Sequence, residues 1–231
     1  MKRLSFTLIF SLVTCFAFSQ TMNESLGAGA GGSISSGDYN TFIGDSAGAS
    51  TSSGSENVFL GREAGFSNTS AYENVFIGQF AGHDNTIGTD NVFIGDEAGY
   101  ANTSTDNVFI GTKAGVNNVS GYDNVFVGEE AGYELTDGDR NVFVGEDAGY
   151  NTTTGNENTF IGRTAGRTNT TGYQNTAIGN EAGYDLTDSY ANTFIGDSAG
   201  NDCGAGFMNT FVGQGAGAAN EYADYNTFVG Y

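Results

Sequence analysis

Side chains able to do covalent or acid–base chemistry are few in this chain. Its 231 residues include one histidine, His83, and two cysteines, Cys15 and Cys203. A histidine can act as base or metal ligand and a cysteine as nucleophile, but each needs a partner in reach. In the repeat described below, His83 stands where other copies carry Tyr, Ala, Arg or Val, so it reads as a surface substitution. Cys203 stands where others carry Asn, Thr or Leu and has no histidine in register, so it reads as a small core residue. The 37 glycines do not form a strand-to-helix phosphate loop. No convergent catalytic set is present, and the expectation is a protein that is not an enzyme and carries no organic cofactor.

Carboxylates offer a second chemistry, cation binding. One column runs Glu56, Glu73, Asp90, Asp106, Asp123, then Arg140 and Glu157. A neighbouring pair of columns adds Asp45, Asp96, Glu97, Glu129, Glu130, Glu146 and Asp147. Like charges one rung apart repel, so either solvent screens them or a cation bridges them. The densest spot, ELTDGDRN over 134–141, makes Glu134, Asp137 and Asp139 the calcium candidates, although no known calcium-loop spacing matches. A plain solvated face is the competing reading. Threonines align as well: Thr69, Thr86, Thr103, Thr136, Thr153, Thr170 and Thr187. Such a hydroxyl row could meet ice, or could bond local backbone at turns. Tyrosines gather in two further columns, either as a contact surface or as a staple between coils.

All these columns exist because the chain repeats one phrase. Counting from the Asn of each N-[TV]-F-[IV]-G stretch, copies start at Asn40, Asn57, Asn74, Asn91, Asn107, Asn124, Asn141, Asn158, Asn175, Asn192, Asn209 and Asn226. Each step is 17 residues except the 16 from Asn91 to Asn107. A degenerate first copy covers 23–39, with Ser25 in place of Phe, and the last copy is incomplete. Position 1 is Asn and position 5 Gly in all thirteen copies; positions 8 and 9 are Ala-Gly wherever a copy reaches them. Self-similarity at this period predicts a solenoid with one copy per coil. Positions 2–4 are β-branched and aromatic and end at Gly, which predicts a short strand; at least two glycines per copy and no 3.6-residue period argue against helix. The fold class expected is all-β, a parallel β-solenoid of about twelve coils at ~4.8 Å per rung. Residues 20–231 form its single domain.

Side chains alternate along a strand, so positions 2 and 4 share one face and position 3 takes the other. With the small aliphatic residues inward beside Ala, the aromatic column would point out: Phe42, Phe59, Phe76, Phe93, Phe109, Phe126, Phe143, Phe160, Phe194, Phe211 and Phe228. Each Phe withheld from burial forgoes ~1.5–3 kcal/mol, which predicts that another copy of the chain covers the stripe. The opposite assignment exposes two aliphatic columns instead. A wider coil with Phe inside is the competing geometry.

The run of N-[TV]-F-[IV]-G-x-x-A-G copies resembles the head repeats of trimeric autotransporter adhesins of the YadA type, and related repeats in phage tail fibres and bacterial surface proteins. The resemblance covers residues 23–231. It implies a left-handed β-roll, three chains per head, and an extracellular protein or glycan ligand. This chain departs from the family in its longer repeat, in Phe where smaller residues are common, and in lacking a coiled-coil stalk and membrane anchor.

The start, MKRLSFTLIFSLVTCFAFSQ, reads as a secretory signal peptide over residues 1–19: Lys2 and Arg3, an apolar run, then Ala17-Phe18-Ser19. It is too short to span a membrane, and nothing later could. Removing it leaves a net charge near −22 (−20 less the two positive charges of Lys2 and Arg3), which disfavours nucleic acid and anionic lipid. One cysteine remains, so no intramolecular disulfide is expected. The function expected is an exported, secreted or cell-surface rod of a Gram-negative bacterium, structural or adhesive and homotrimeric. The alternative is a monomeric ice-binding solenoid acting through the Thr row.

Overall fold

The computed structural model describes residues 22–220 and 224–231, so the signal-peptide reading lies outside the described residues. Thirteen three-residue strands follow one another. They are β1 (Glu24–Leu26), β2 (Thr41–Ile43), β3 (Val58–Leu60), β4 (Val75–Ile77), β5 (Val92–Ile94), β6 (Val108–Ile110) and β7 (Val125–Val127). Then come β8 (Val142–Val144), β9 (Thr159–Ile161), β10 (Thr176–Ile178), β11 (Thr193–Ile195), β12 (Thr210–Val212) and β13 (Thr227–Val229). They form one parallel sheet in sequence order, each residue opposite its equivalent one copy away. The chain is a parallel β-solenoid with one copy per coil.

Hydrogen bonding between coils continues beyond the strands. Val58 N donates to Asn74 O at 2.8 Å, Gly61 N to Ile43 O at 2.8 Å, Glu63 N to Asp45 O at 2.8 Å, and Gly65 N to Ala81 O at 3.0 Å. Each coil is thus tied to the next at its corners as well as its strand, which is how so short a strand forms a stable sheet. The corners need left-handed backbone. Positions 7 and 17 adopt it without glycine, as at Glu63 (φ 56°) and Glu73 (φ 59°). Position 5 requires glycine twice over: at Gly128, φ is 146° and an added Cβ would lie 2.3 Å from the carbonyl oxygen of Gly145. The 16-residue coil absorbs its deletion at the turn before the strand. There Ser104 O accepts from Asn91 Nδ2 at 2.8 Å, the part played elsewhere by the position 15 carbonyl.

The interior corrects the expected direction of the aromatic column. Phe42, Phe59, Phe76, Phe93, Phe109, Phe126, Phe143, Phe160, Phe194 and Phe211 are fully buried inside the coil. Only Phe228, in the last coil, is partly exposed. They cannot form an interface stripe. Successive rings stack with centroids 4.8 Å apart between Phe59 and Phe76 and 4.7 Å between Phe109 and Phe126. The room comes from the Ala-Gly pair. A Cβ on Gly65 would meet the Phe59 ring at 2.5 Å, and one on Gly149 would meet Phe143 at 2.5 Å. Position 9 is therefore the floor on which the ring lies, and the coil is wider than a Val- and Ala-filled interior implies. The exception proves instructive. Where Ala177 replaces Phe, Leu186 of the same coil lies 2.9 Å from a Cβ placed on Gly183 and takes up the ring's space.

Candidate functional site

With the Phe column inside, positions 2 and 4 face outward. The result is a continuous strip along the rod, two side chains wide, with no charged residue in it. From β3 to β8 position 2 is Val; in β2 and from β9 to β13 it is Thr. Position 4 is Ile, Leu or Val from β2 to β13. These side chains are half-buried to exposed, with Ile43 at 42%, Ile161 at 37% and Ile195 at 39% of their full surface. Twelve strands ~4.8 Å apart by three residues of ~3.3 Å make a face of roughly 600 Å², at the upper end of the ~300–600 Å² of a typical monomer's largest apolar patch. Sequence reasoning named this face only as the less favoured assignment. The usable signal was the constant Gly at position 9, which makes room for a ring at position 3.

Carboxylates predominate on both borders of the strip from β3 to β8, with Arg62 and Lys113 among them. On one edge lie Glu56, Glu73, Asp90, Asp106 and Asp123 at position 17; on the other, Asp96, Glu97, Glu129, Glu130, Glu146 and Asp147 at positions 6 and 7. In the first column a hydrogen bond with Asp90, then the charge of Asp90, then desolvation and the charge of Glu56 raise the Glu73 carboxyl above the ordinary value. Arg140 interrupts this column, pairing with Glu157 at 3.2 Å and donating to Tyr122 Oη at 3.2 Å.

The calcium candidates do not converge. Asp137 accepts from the hydroxyls of Ser120 and Thr136, and Asp139 accepts from the backbone N–H of Tyr122 at 3.1 Å. Both thus serve as links between coils. Among the described residues no group of three His, Cys, Asp or Glu side chains is placed to hold a metal ion.

The Thr row is also committed. Thr69, Thr136, Thr153 and Thr170 each donate to the carbonyl of the equivalent residue in the next coil at 3.0–3.1 Å. Its hydroxyls tie coils together instead of forming a free donor array. The invariant Asn ladder does the same inside the wall. Asn141 Oδ1 accepts both the N–H and the amide of Asn158, at 3.0 and 3.2 Å, while Asn141 Nδ2 crosses the coil to Gly155 O at 2.8 Å. A second interior column at position 12 holds Asn68, Asn85, Asn102 and Asn118, then Leu135, Thr152, Asn169, Leu186 and Cys203, all fully buried. Burial, then the charge of Asp224, pushes the Cys203 thiol up to about 11, which keeps it protonated and unreactive at neutral pH.

Several of the column tyrosines form staples, while Tyr72 stays 50% exposed. Tyr133 and Tyr150 stack at 4.9 Å, and Tyr190 lies between Tyr173 and Phe207 at 5.0 and 4.9 Å. Their faces are spent on one another and mainly their edges remain, which suits coil-to-coil adhesion better than stacking on a sugar. His83 belongs to such a stack, between Phe66 at 5.1 Å and Tyr100 at 4.8 Å. Its Nδ1 lies 2.7 Å from Asp84 and its Nε2 3.4 Å from Glu63. Phe66 and Phe80, with Arg62 placed 4.4 Å over the Phe80 ring, complete a cluster that the sequence columns had not marked.

No helix among the described residues is long and apolar enough to cross a membrane. Comparison with protein-family models, curated proteins and solved structures finds no match to this chain.

Proposed function

We propose that the chain is an exported, non-enzymatic structural or adhesive rod that works by self-association along its outer sheet face. The observation carrying this reading is the charge-free strip of Val, Thr, Ile and Leu that runs from β2 to β13 on an otherwise acidic molecule. Its occupant is a second copy of the chain. A face of roughly 600 Å² approaches the ~800 Å² that each partner brings to a standard interface. Three copies, as the adhesin-head resemblance implies, would bury the strip around a common axis and leave the other faces of each coil outward, towards a protein or glycan ligand.

The test is the mass of residues 20–231 in solution, by sedimentation or light scattering. The expected result is an oligomer, with three copies favoured. Replacing Val92, Ile94, Val108 and Ile110 by Thr should return it to monomer while β-sheet circular dichroism is unchanged. A wild-type chain that is monomeric in every buffer would overturn the reading.

A second reading, a monomer that binds ice, has one observation in its favour. Among the described residues the Thr159, Thr176 and Thr193 hydroxyls make no hydrogen bond, unlike the position 13 row, and they lie in register on a regular sheet. Inhibition of ice recrystallisation by a monomer would support it.

A further inference from the structure

We infer that the two borders of the sheet face recognise each other between copies: Arg62, Arg140 and Arg163 pair with Glu56, Glu146 and Glu157 of a neighbouring copy, respectively, and fix the rung at which the copies meet. The inference rests on the self-association proposed above and concerns the geometry of that contact.

Each strand of the strip lies between two exposed side chains, position 17 just before it and position 6 just after it. From β3 to β9 the leading border reads Glu56, Glu73, Asp90, Asp106, Asp123, Arg140, Glu157. The trailing border reads Arg62, Gln79, Asp96, Thr112, Glu129, Glu146, Arg163. Every arginine on one border shares its rung with a carboxylate on the other: Arg62 with Glu56 at β3, Arg140 with Glu146 at β8, and Arg163 with Glu157 at β9. Like charges share a rung only at β5, Asp90 with Asp96, and at β7, Asp123 with Glu129.

Among the described residues no ion pair joins the two borders within the chain. Arg62 lies 3.4 Å from its neighbour Glu63, Arg140 3.2 Å from Glu157 and Arg163 3.8 Å from Glu181, each on its own side of the strip. All three arginine side chains keep about half of their surface in solvent, at 48%, 54% and 58%. Such exposed contacts hold a side chain weakly and leave it able to turn to a partner.

Copies arranged around a common axis parallel to the rod set the leading border of one against the trailing border of the next. With equal rungs facing, the three opposite-charge pairs outnumber the two like-charge pairs. A slip of one rung undoes this. In one direction Glu73 meets Asp96, Asp106 meets Glu129, Asp123 meets Glu146 and Arg140 meets Arg163, with no opposite pair. In the other, Glu56 meets Asp45, Asp106 meets Asp96 and Glu157 meets Glu146, against two opposite pairs, Glu73 with Arg62 and Arg140 with Glu129. The strip itself repeats nearly the same side chains at every rung, so apolar contact alone scarcely distinguishes one register from the next. The borders supply the distinction, as flanking charges do beside the apolar seam of a coiled coil.

The experiment is sedimentation of residues 20–231 at low ionic strength, where exposed charges are least screened. It compares the wild type with a variant carrying Arg62→Glu and Arg140→Glu, and with one that adds Glu56→Arg and Glu146→Arg. The first variant should associate about tenfold more weakly, because two attractive pairs at each contact become repulsive. The second restores both pairs with their signs exchanged and should return association to the wild-type level. A first variant that associates as tightly as wild type overturns the border pairing and leaves self-association standing. A second variant that recovers nothing also overturns it. An antiparallel copy centred on β7 would set Arg62 against Asp197 and Arg140 against Asp106, where Glu56→Arg and Glu146→Arg bring no rescue. A wild-type chain that stays monomeric overturns both the pairing and the self-association beneath it. Circular dichroism of each variant establishes that it folds.

Discussion

The coils from β3 to β8 and those from β9 to β12 have nearly the same interior and different exteriors. In both, Phe, Ala and the Asn ladder fill the coil, and the backbone ladder keeps one register. Outside, the first region presents Val beside a rim of five consecutive acids. The second presents Thr beside Gln174, Ala191 and Met208, with the Tyr173, Tyr190 and Phe207 stack in place of charge. A shared interior with divergent surfaces teaches that the repeat constrains what closes the coil and leaves the outward positions open to specialise. The first region is the more apolar and the more charged at once. It therefore gains most from burial.

The largest effect would come from breaking the interior, and it should ignore the boundary between regions. Phe126→Ala and Phe194→Ala should each cost about 3–5 kcal/mol, read by urea denaturation. A difference between them larger than their common loss would mean that the two interiors are not equivalent.

A smaller effect sharpens the one irregular coil. Ala177→Phe should destabilise by about 1–3 kcal/mol, because Leu186 already occupies the ring's space. Adding Leu186→Asn, the residue of Asn85 and Asn169 at this position, should recover most of that loss. No recovery in the double variant would show that the two sites are not coupled.

On the outer face the same kinds of change should scarcely touch stability. Val92→Thr with Val108→Thr, or the reverse exchange Thr176→Val with Thr193→Val, should shift unfolding by about 0.5 kcal/mol or less. Association should weaken in the first pair and strengthen in the second. If both pairs leave sedimentation unchanged, the division of the face into two regions has no functional meaning.

The smallest effect is that of pH on the acidic column. Because folding raises the Glu73 carboxyl above its ordinary value, the folded chain binds that proton more readily than the unfolded one. Its repulsion with Asp90 therefore costs stability above the raised value, and that cost is removed as pH falls through it towards 4.5. Glu73→Gln should flatten this part of the stability profile. An unchanged profile would mean that the Glu73–Asp90 contact carries no energetic weight in solution.

Much of this molecule was legible as text. The fixed period, the Asn at position 1 and the Gly at position 5 specify coils, strand placement and an in-register parallel sheet, because identical phrases can satisfy one another's backbone only by stacking. The carboxylate columns were legible for the same reason. The calcium candidates were not a site: Asp137 and Asp139 face neighbours one coil away, and sequence proximity does not say which way a turn side chain leans.

What only the tertiary structure decided is which face of the strand looks inward. A three-residue strand with Val, Phe and Ile is apolar on both sides, so alternation carries no sign. The sign is set where the coil closes, at corners where Glu63 and Glu73 take left-handed backbone against their own preference and where Gly65 leaves space for a ring. Those choices are made by hydrogen bonds to the coils above and below, which exist only once the rod has formed. The sequence by itself determined a stack of identical coils; closure of each coil against its neighbours placed Phe within and left Val, Thr and Ile for a partner.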